Sequence, residues 1–173
     1  MTSFYGHGKK AIGFTIVELL IVIVVIGILA AITIVAYNGI QLRARDAERQ
    51  ADINAVDKKL AEFRIVSGYY PRYDDMVDNS LSWVHTNLVG LPDNAMIAPG
   101  GTDANSFNGS ATASLDAYSY RSYFDDSGGI QRYCSQATLD SYSKVATDCN
   151  RYELRWKSDV DGSTKLVKSS FGW

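Results

Sequence analysis

Hydrophobic residues are concentrated in one block near the amino terminus of this 173-residue chain. Between Phe14 and Tyr37, 20 of 24 positions are hydrophobic, and no charged side chain occurs from Leu19 to Leu42. As a helix rising about 1.5 Å per residue, 24 residues span about 36 Å, which exceeds the roughly 30 Å hydrocarbon core of a bilayer. The pattern therefore predicts a membrane-spanning helix over residues 14–37.

Two other interpretations of this block explain it less well. A buried core helix would need protein around every face, because all faces of the stretch are apolar, and the remaining chain is too short to surround it. A secretory signal peptide fits the start, since residues 1–13 carry Lys9 and Lys10 and no acid. The apolar run is too long for a typical signal peptide, however, and no small-x-small cleavage site follows it promptly. We expect the segment to be retained.

A helical pattern continues over residues 38–67, where it becomes amphipathic. Ile53, Val56, Leu60 and Phe63 recur at spacings of 3, 4 and 3 residues, which places them on one face. We expect this face to pack on a sheet.

A second stripe of this helix consists of small residues, and charged residues fill the remaining positions. The small residues are Ala44, Ala47, Ala51 and Ala55. They either face other helices in an assembly or belong to an ordinary amphipathic helix of a monomer. The helix is expected to end near Ser67–Gly68, because glycine favours the position after a helix and Pro71 follows shortly.

Residues 68–115 are predicted to connect the helix to a sheet. A short helix is expected around Leu81–Leu88, and the Gly-, Ser- and Asn-rich stretches 98–101 and 105–114 predict surface loops.

Strand patterns dominate residues 116–173. Tyrosines alternate with polar residues from position 118, and a second alternating run surrounds Trp156. Turns are predicted at Asp125–Gly129 and Asp159–Gly162. We expect three or four antiparallel strands packed on the long helix, which is an α+β fold.

Charge and candidate chemistry exclude several classes of function. The chain has 17 basic and 19 acidic residues and a mean hydropathy of −0.10, so it offers no electrostatic case for binding nucleic acid. No nucleophile motif, phosphate loop or zinc motif occurs, so we predict no catalytic residue, cofactor or metal site. Asp159-Val160-Asp161-Gly162 has the start of a calcium loop but lacks its remaining ligands, and we interpret it as a hairpin turn.

Two details do not fit a generic membrane anchor. Glu18 lies inside the apolar block, where an unpaired carboxylate costs about 2.5–3.5 kcal/mol or more. A short basic leader also ends abruptly at Gly13, and the hydrophobic block begins at once.

The residues around this junction resemble those of a known protein family. The run Gly13-Phe14-Thr15-Ile16-Val17-Glu18-Leu19-Leu20 resembles the processing site of type IV pilins and pseudopilins, and the similarity continues to Ala36–Tyr37. The resemblance covers about 30 consecutive residues. It implies the type IV pilin fold, in which a long amino-terminal helix packs on a small antiparallel sheet.

The resemblance also implies how the chain is processed. A prepilin peptidase, acting also as methyltransferase, would remove residues 1–13 by cutting between Gly13 and Phe14, and Phe14 would become N-methylated. Loss of Lys9 and Lys10 would leave 15 basic and 19 acidic residues, a net charge of −4. Glu18 would neutralise the Phe14 amine of a neighbouring subunit during assembly. Alternatively, Glu18 simply lies at the cytoplasmic membrane interface.

Two further positions are interpreted through the resemblance. Cys134 and Cys149 resemble the cysteines of the carboxyl-terminal disulfide loop of many type IV pilins, and an oxidising exterior permits such a bond. Two free thiols are the alternative. Val35 stands where many relatives have a proline, so we expect no obligatory break in the helix.

Three functions remain open. The first is a pilin that is inserted in the cytoplasmic membrane with its amino terminus in the cytoplasm, and then polymerised by the pilus machinery into an extracellular homo-oligomeric filament. The family implies adhesion, twitching motility or DNA uptake for such filaments. The second is a pseudopilin of a type II secretion system. The third is a single-pass membrane enzyme or receptor.

Overall fold

The computed structural model describes residues 13–169, apart from the side chain of Val35. The chain divides into two compact units, Met1–Ile40 and Gln41–Trp173, which we call the amino-terminal and carboxyl-terminal units. Helix α1, Ile16–Ser67, begins in the first and ends in the second. Lys9, Lys10 and the end of the chain from residue 170 lie outside the described residues.

The described part of the amino-terminal unit is mainly the first half of α1, whose apolar side chains are exposed. Among the described residues, α1 is the one helix long and apolar enough to cross a membrane, and none of its most apolar window is buried. This agrees with the block identified in the sequence. Exposed aliphatic surface on every face is stable only in lipid or against other protein.

The second half of α1 packs on the sheet through the predicted face. Ile53, Val56 and Leu60 are completely buried, which confirms the predicted packing. The helix ends at Ser67, as predicted, and Gly68 follows with a φ of +86°, a conformation that glycine adopts without strain. Of the alanine stripe, only Ala55 packs against the core, while the other three alanines are exposed.

The sheet has five strands in the order β1-β2-β4-β5, with β3 paired to β2. Short helices lie between α1 and the sheet and between β3 and β4, and the α+β expectation is confirmed. The strands are β1 Phe107–Asn108, β2 Tyr118–Asp125, β3 Gln131–Tyr133, β4 Arg151–Lys157 and β5 Thr164–Lys168. The helices after α1 are α2 Tyr73–Met76, α3 Ser82–Asn87 and α4 Gln136–Ser141, with 3₁₀ turns at Asp93–Met96 and Ala146–Asp148.

The sheet differs from the prediction in one edge strand. β1 runs parallel to β2, with Phe107 opposite Tyr118, so the sheet is mixed rather than wholly antiparallel. The remaining pairings are antiparallel, and both predicted turns connect strands, at 126–130 and 158–163. Two residues are too few to show a strand period, which explains why the sequence pattern missed β1.

The predicted surface loop 105–114 is wrong at its start, because residues 105–107 are buried, whereas residues 110–112 are exposed as predicted. Asn105 is 3% exposed, and its side-chain nitrogen donates to the carbonyls of Met76 (2.8 Å) and Asp78 (3.1 Å). Its side-chain oxygen accepts from the amide of Phe107 at 2.9 Å. A polar side chain that is typical of solvated loops here forms hydrogen bonds with buried backbone groups. The short helix predicted around residue 84 is present as α3.

Three tyrosines on the sheet face toward α1 donate hydrogen bonds to the helix or to the segment that follows it. The hydroxyl of Tyr118 donates to Asp52 and that of Tyr120 donates to the carbonyl of Pro71, both at 2.7 Å. Tyr152 donates to Asp57 in the same manner. Each ring is buried, and each hydroxyl has a hydrogen-bond partner. These hydrogen bonds fix the position of the sheet relative to the second half of α1.

Candidate processing and assembly site

The predicted processing junction lies in exposed chain before α1. Gly13, Phe14 and Thr15 have no regular secondary structure, and Phe14 is 84% exposed. A Cβ added at Gly13 would meet no atom within 4 Å. A peptidase needs a scissile bond that it can surround, and no residue of the described range 13–169 packs on Gly13, while Phe14 is largely exposed.

Thr15 and Glu18 cap the start of α1 reciprocally. The amide and the hydroxyl of Thr15 donate to Oε2 of Glu18, at 2.8 Å and 2.7 Å. The amide of Glu18 in turn donates to Oγ1 of Thr15 at 3.2 Å. This is a capping box, in which two otherwise unpaired amides at a helix start are satisfied by side chains three residues apart.

The capping box changes the interpretation of Glu18. Both hydrogen bonds fall on Oε2, and within residues 13–169 its other carboxylate oxygen, Oε1, accepts none. The carboxylate is therefore held at the helix start with one oxygen available to a further donor. The sequence interpretation assigns no role to Thr15, although the Thr-x-x-Glu spacing is itself a signature of a helix start.

Helix α1 is continuous through position 35. Residues 31–40 are helical, in agreement with the expectation that valine there imposes no break. Thr33, a polar residue of the apolar block, donates its hydroxyl to the carbonyls of Leu29 (2.9 Å) and Ala30 (3.0 Å). Its polarity is thereby satisfied inside the helix and adds little cost in lipid.

Cys134 and Cys149 form a disulfide in the carboxyl-terminal unit. Their sulfurs are 1.99 Å apart, and both residues are buried beside Phe124 and Leu139. The segment leaving α1 attaches to this bridge: the amide of Tyr70 donates to the carbonyl of Cys149 at 2.8 Å, and that of Tyr73 donates to Cys134 at 2.7 Å. The bridge therefore joins three segments of the unit.

The carboxylates of the Asp159–Gly162 turn are bound by other groups of the protein. Oδ2 of Asp159 lies 2.6 Å from a guanidinium nitrogen of Arg49. Asp161 accepts from Ser163 and pairs with Lys165, and these hydrogen bonds hold the pKa of the Asp161 carboxyl well below its usual range. Within residues 13–169 no group of three or more His, Cys, Asp or Glu side chains could hold a metal ion. The observed pairing supports a hairpin turn.

Arg49 and Asp46 form the contact of α1 with this turn. Arg49 is 1% exposed and also donates to the carbonyls of Pro99 (3.2 Å) and Leu115 (2.7 Å). Asp46 accepts from the amide of Asp159 at 2.7 Å. The sequence pattern places both among the charged positions outside the two stripes. Arg49 lies four residues before Ile53, and this spacing was the available signal that it shares the buried stripe.

Comparison with known proteins bears on the amino-terminal region. No solved structure matches the chain. Residues 8–34 match the prokaryotic N-terminal methylation motif. The match includes Gly13, Phe14 and Glu18, and it extends over the apolar part of α1. The chain therefore carries, immediately before and along its exposed apolar helix, the motif that is the hallmark of type IV pilin and pseudopilin prepilins.

Proposed function

We propose that this protein is a structural pilin, processed between Gly13 and Phe14 and polymerised into an extracellular type IV pilus filament. The observation that carries this proposal is the exposed apolar half of α1, most of which the methylation motif covers. Such a helix needs lipid before assembly and neighbouring copies afterwards. A structural subunit of this kind requires no catalytic residue or cofactor.

Processing would prepare the helix for this exchange of surroundings. Cleavage by the prepilin peptidase creates a cationic amine at Phe14, which the same enzyme methylates. In a low-dielectric environment this amine and the Glu18 carboxylate of a neighbouring subunit attract strongly, and either charge alone is costly. Pairing them would fix the axial register of an incoming subunit, and the free Oε1 of Glu18 suits this contact.

The disulfide and the long segment 68–115 favour a pilin over a pseudopilin of a type II secretion system. Both features enlarge and stabilise the part of the chain that a surface filament exposes outside the cell. A genetic observation separates the two. Disruption that abolishes surface filaments and leaves enzyme secretion intact supports the pilin, and the opposite result supports the pseudopilin.

Mass spectrometry of sheared surface filaments tests the proposal directly. We expect a mature chain that begins at N-methylated Phe14 and contains the Cys134–Cys149 bridge. Gly13→Glu should block processing and leave the full-length precursor in the membrane fraction, while Gly27→Ala, a change inside the helix, should be processed normally. Recovery of intact Met1 with no filament material would overturn the proposal.

A further inference from the structure

A cavity of about 530 Å³ opens on the carboxyl-terminal unit, between the sheet and the segments that flank it. This volume is in the range of small-molecule sites. Its lining includes Tyr73, Asn108, Ser110, Arg121, Tyr133 and Thr138. None of the described residues that line it is aliphatic, so the cavity presents hydroxyl, amide and guanidinium groups together with tyrosine rings.

Arg121 is held in this wall by aromatic rings. It lies on the outer face of β2, on the side of the sheet away from α1. Its guanidinium carbon is 4.1 Å from the ring centre of Tyr133 and 5.7 Å from that of Tyr123. Stacking on ring faces restrains the planar group without using its hydrogen-bond donors.

The charge of Arg121 has no carboxylate partner in the described part of the chain. Its Nε is buried and has no hydrogen-bond partner. Glu153, directly opposite on β4, accepts from Tyr123 and pairs with Arg155 and Lys168. The other arginines of the described strands each pair with an acid: Arg132, Arg151 and Arg155.

A glycine shapes the opposite wall. A Cβ at Gly109 would lie 2.4 Å from Cε2 of Tyr73, so only glycine lets the tyrosine ring lie against the backbone here. The ring of Tyr73 thus forms a flat wall of the same cavity that contains the unpaired guanidinium.

We propose that this cavity binds an acidic saccharide, with the sugar carboxylate on Arg121 and the ring hydroxyls on the short polar side chains. A guanidinium pairs with a carboxylate through two parallel hydrogen bonds, which fixes orientation as well as charge. The apolar face of a sugar ring fits a tyrosine ring, and its hydroxyls match the side chains of Asn108, Ser110 and Thr138.

The ligand chemistry could come from a uronic acid of a microbial polysaccharide or from a sialic acid of an animal glycan. Titration of the full chain in mild detergent, followed by calorimetry or NMR, separates these sources. The probes are galacturonate and N-acetylneuraminate, with galactose as the neutral control. We expect at least one acidic sugar to bind roughly tenfold or more tightly than galactose, since hydrogen bonds to charged groups contribute about 1.5–3 kcal/mol.

Variants assign the binding to Arg121. Arg121→Gln should weaken binding of the acidic sugar roughly tenfold or more and leave galactose unchanged. Arg121→Lys should recover part of the loss, because it keeps the charge without the planar fork. Gly109→Ala, which displaces Tyr73, should weaken both sugars. Lys157→Gln is the matched control, since it removes one positive charge from the same sheet face at a site away from the cavity.

Equal binding of galactose and both acidic sugars to the unaltered chain would overturn the proposal, and this result does not depend on the folding of any variant. Equal losses for Arg121→Gln and Lys157→Gln would overturn it as well. Binding of a peptide carboxylate in preference to either acidic sugar would show that the ligand class is wrong. These readouts are independent of whether the chain functions as a pilin.

Discussion

Glu18 is the residue in which helix stability and assembly are most closely connected. Its carboxylate caps α1 together with Thr15, and we propose that it also neutralises the Phe14 amine of a neighbouring subunit. The two roles need different chemistry. Capping requires an oxygen that accepts a hydrogen bond, whereas neutralisation requires a negative charge.

Substitutions at positions 18 and 15 separate these roles. Glu18→Ala and Glu18→Gln should both be cleaved normally and both lose most filament yield, because each removes the charge. Thr15→Ala should retain filaments with a modest reduction in helix stability, on the order of 1 kcal/mol, since it removes a cap and keeps the charge. Processing is measured by mass spectrometry, and filament yield by shearing and electron microscopy.

Glu18→Gln is the decisive variant, because glutamine can retain the capping hydrogen bonds. Normal filament yield from Glu18→Gln together with loss from Glu18→Ala would assign the role of Glu18 to capping alone. Normal yield from both would contradict either role in assembly.

Asp52 is a buried carboxylate whose charge weakens the fold. Burial raises the pKa of the Asp52 carboxyl, and the hydrogen bond from Tyr118 offsets this in part. A raised folded-state pKa means that the native state binds the proton more tightly than the unfolded chain. Stability is therefore lost as pH rises through the carboxyl range, and the loss is complete above the folded-state pKa.

Asp52→Asn should accordingly stabilise the protein at neutral pH. We expect the free energy of unfolding to rise by on the order of 1 kcal/mol at pH 7, because the amide oxygen can still accept from Tyr118 without a charge. The gain should shrink as pH falls through the carboxyl range, where the wild-type carboxyl becomes protonated. Chemical denaturation followed by tryptophan fluorescence measures both. Asp52→Ala, which removes the acceptor, should instead destabilise, and a gain that is constant with pH would contradict this explanation.

Among the elements, α1 and the β4–β5 hairpin are connected by charge as well as by apolar packing. Arg49 and Asp46 of the helix bind the hairpin turn, and Arg49 also reaches two carbonyls of the connecting segment. Because Arg49 is almost wholly buried, its removal leaves the carboxylate of Asp159 and both carbonyls without their donor.

Arg49→Ala should lower the free energy of unfolding by about 3–5 kcal/mol, the cost of breaking a buried ion pair by removing one partner. The measurement is chemical denaturation of the full chain in mild detergent. Arg45→Ala is the matched control, since Arg45 is an exposed arginine on the same helix and should change stability by about 0.5 kcal/mol or less. Equal effects of the two substitutions would show that the ion pair contributes no net stability.

The elements also show where sequence patterns are informative. The 3.6-residue period of Ile53, Val56 and Leu60 predicted the buried face of α1, and Gly68 predicted its end. The same period includes Arg49, but a pattern built on apolar residues passes over a buried charge whose partners come from distant segments. Strand β1 and the buried Asn105 depend on pairing with distant backbone, which leaves no local period to detect.

For the whole molecule, the sequence predicted the division into an apolar anchor and an α+β unit because each has its own composition. The cavity beside Arg121 could not be predicted in this way. Its lining comes from stretches around residues 73, 109, 121 and 135, which only the fold brings together. Buried faces can be predicted because their residues are close together in the sequence. The residues that line this cavity are far apart in the sequence, so no local pattern reveals them.

The disulfide agrees with the export that we propose for this unit, because such bonds form and persist in an oxidising compartment. Replacing Cys134 and Cys149 together by serine should lower the free energy of unfolding by about 3 kcal/mol, as expected for a bridge between residues 15 apart. It should also speed tryptic cleavage after Lys144, inside the bridged loop. Reductant should reproduce both effects in the wild type and add nothing in the double variant, and unchanged stability would contradict the prediction.

The position of the bridge also determines how far the unit can be stretched. The 14 residues between Cys134 and Cys149 would span roughly 50 Å if extended, but the covalent bond holds their ends together. In the filament that we propose, a subunit that begins to unfold under tension cannot release this length. The amides of Tyr70 and Tyr73 hold the segment that leaves α1 to the two bridged residues. The bridged loop therefore adds no length when the unit is pulled. Elongation of the unit near the end of α1 is limited as long as the disulfide is intact.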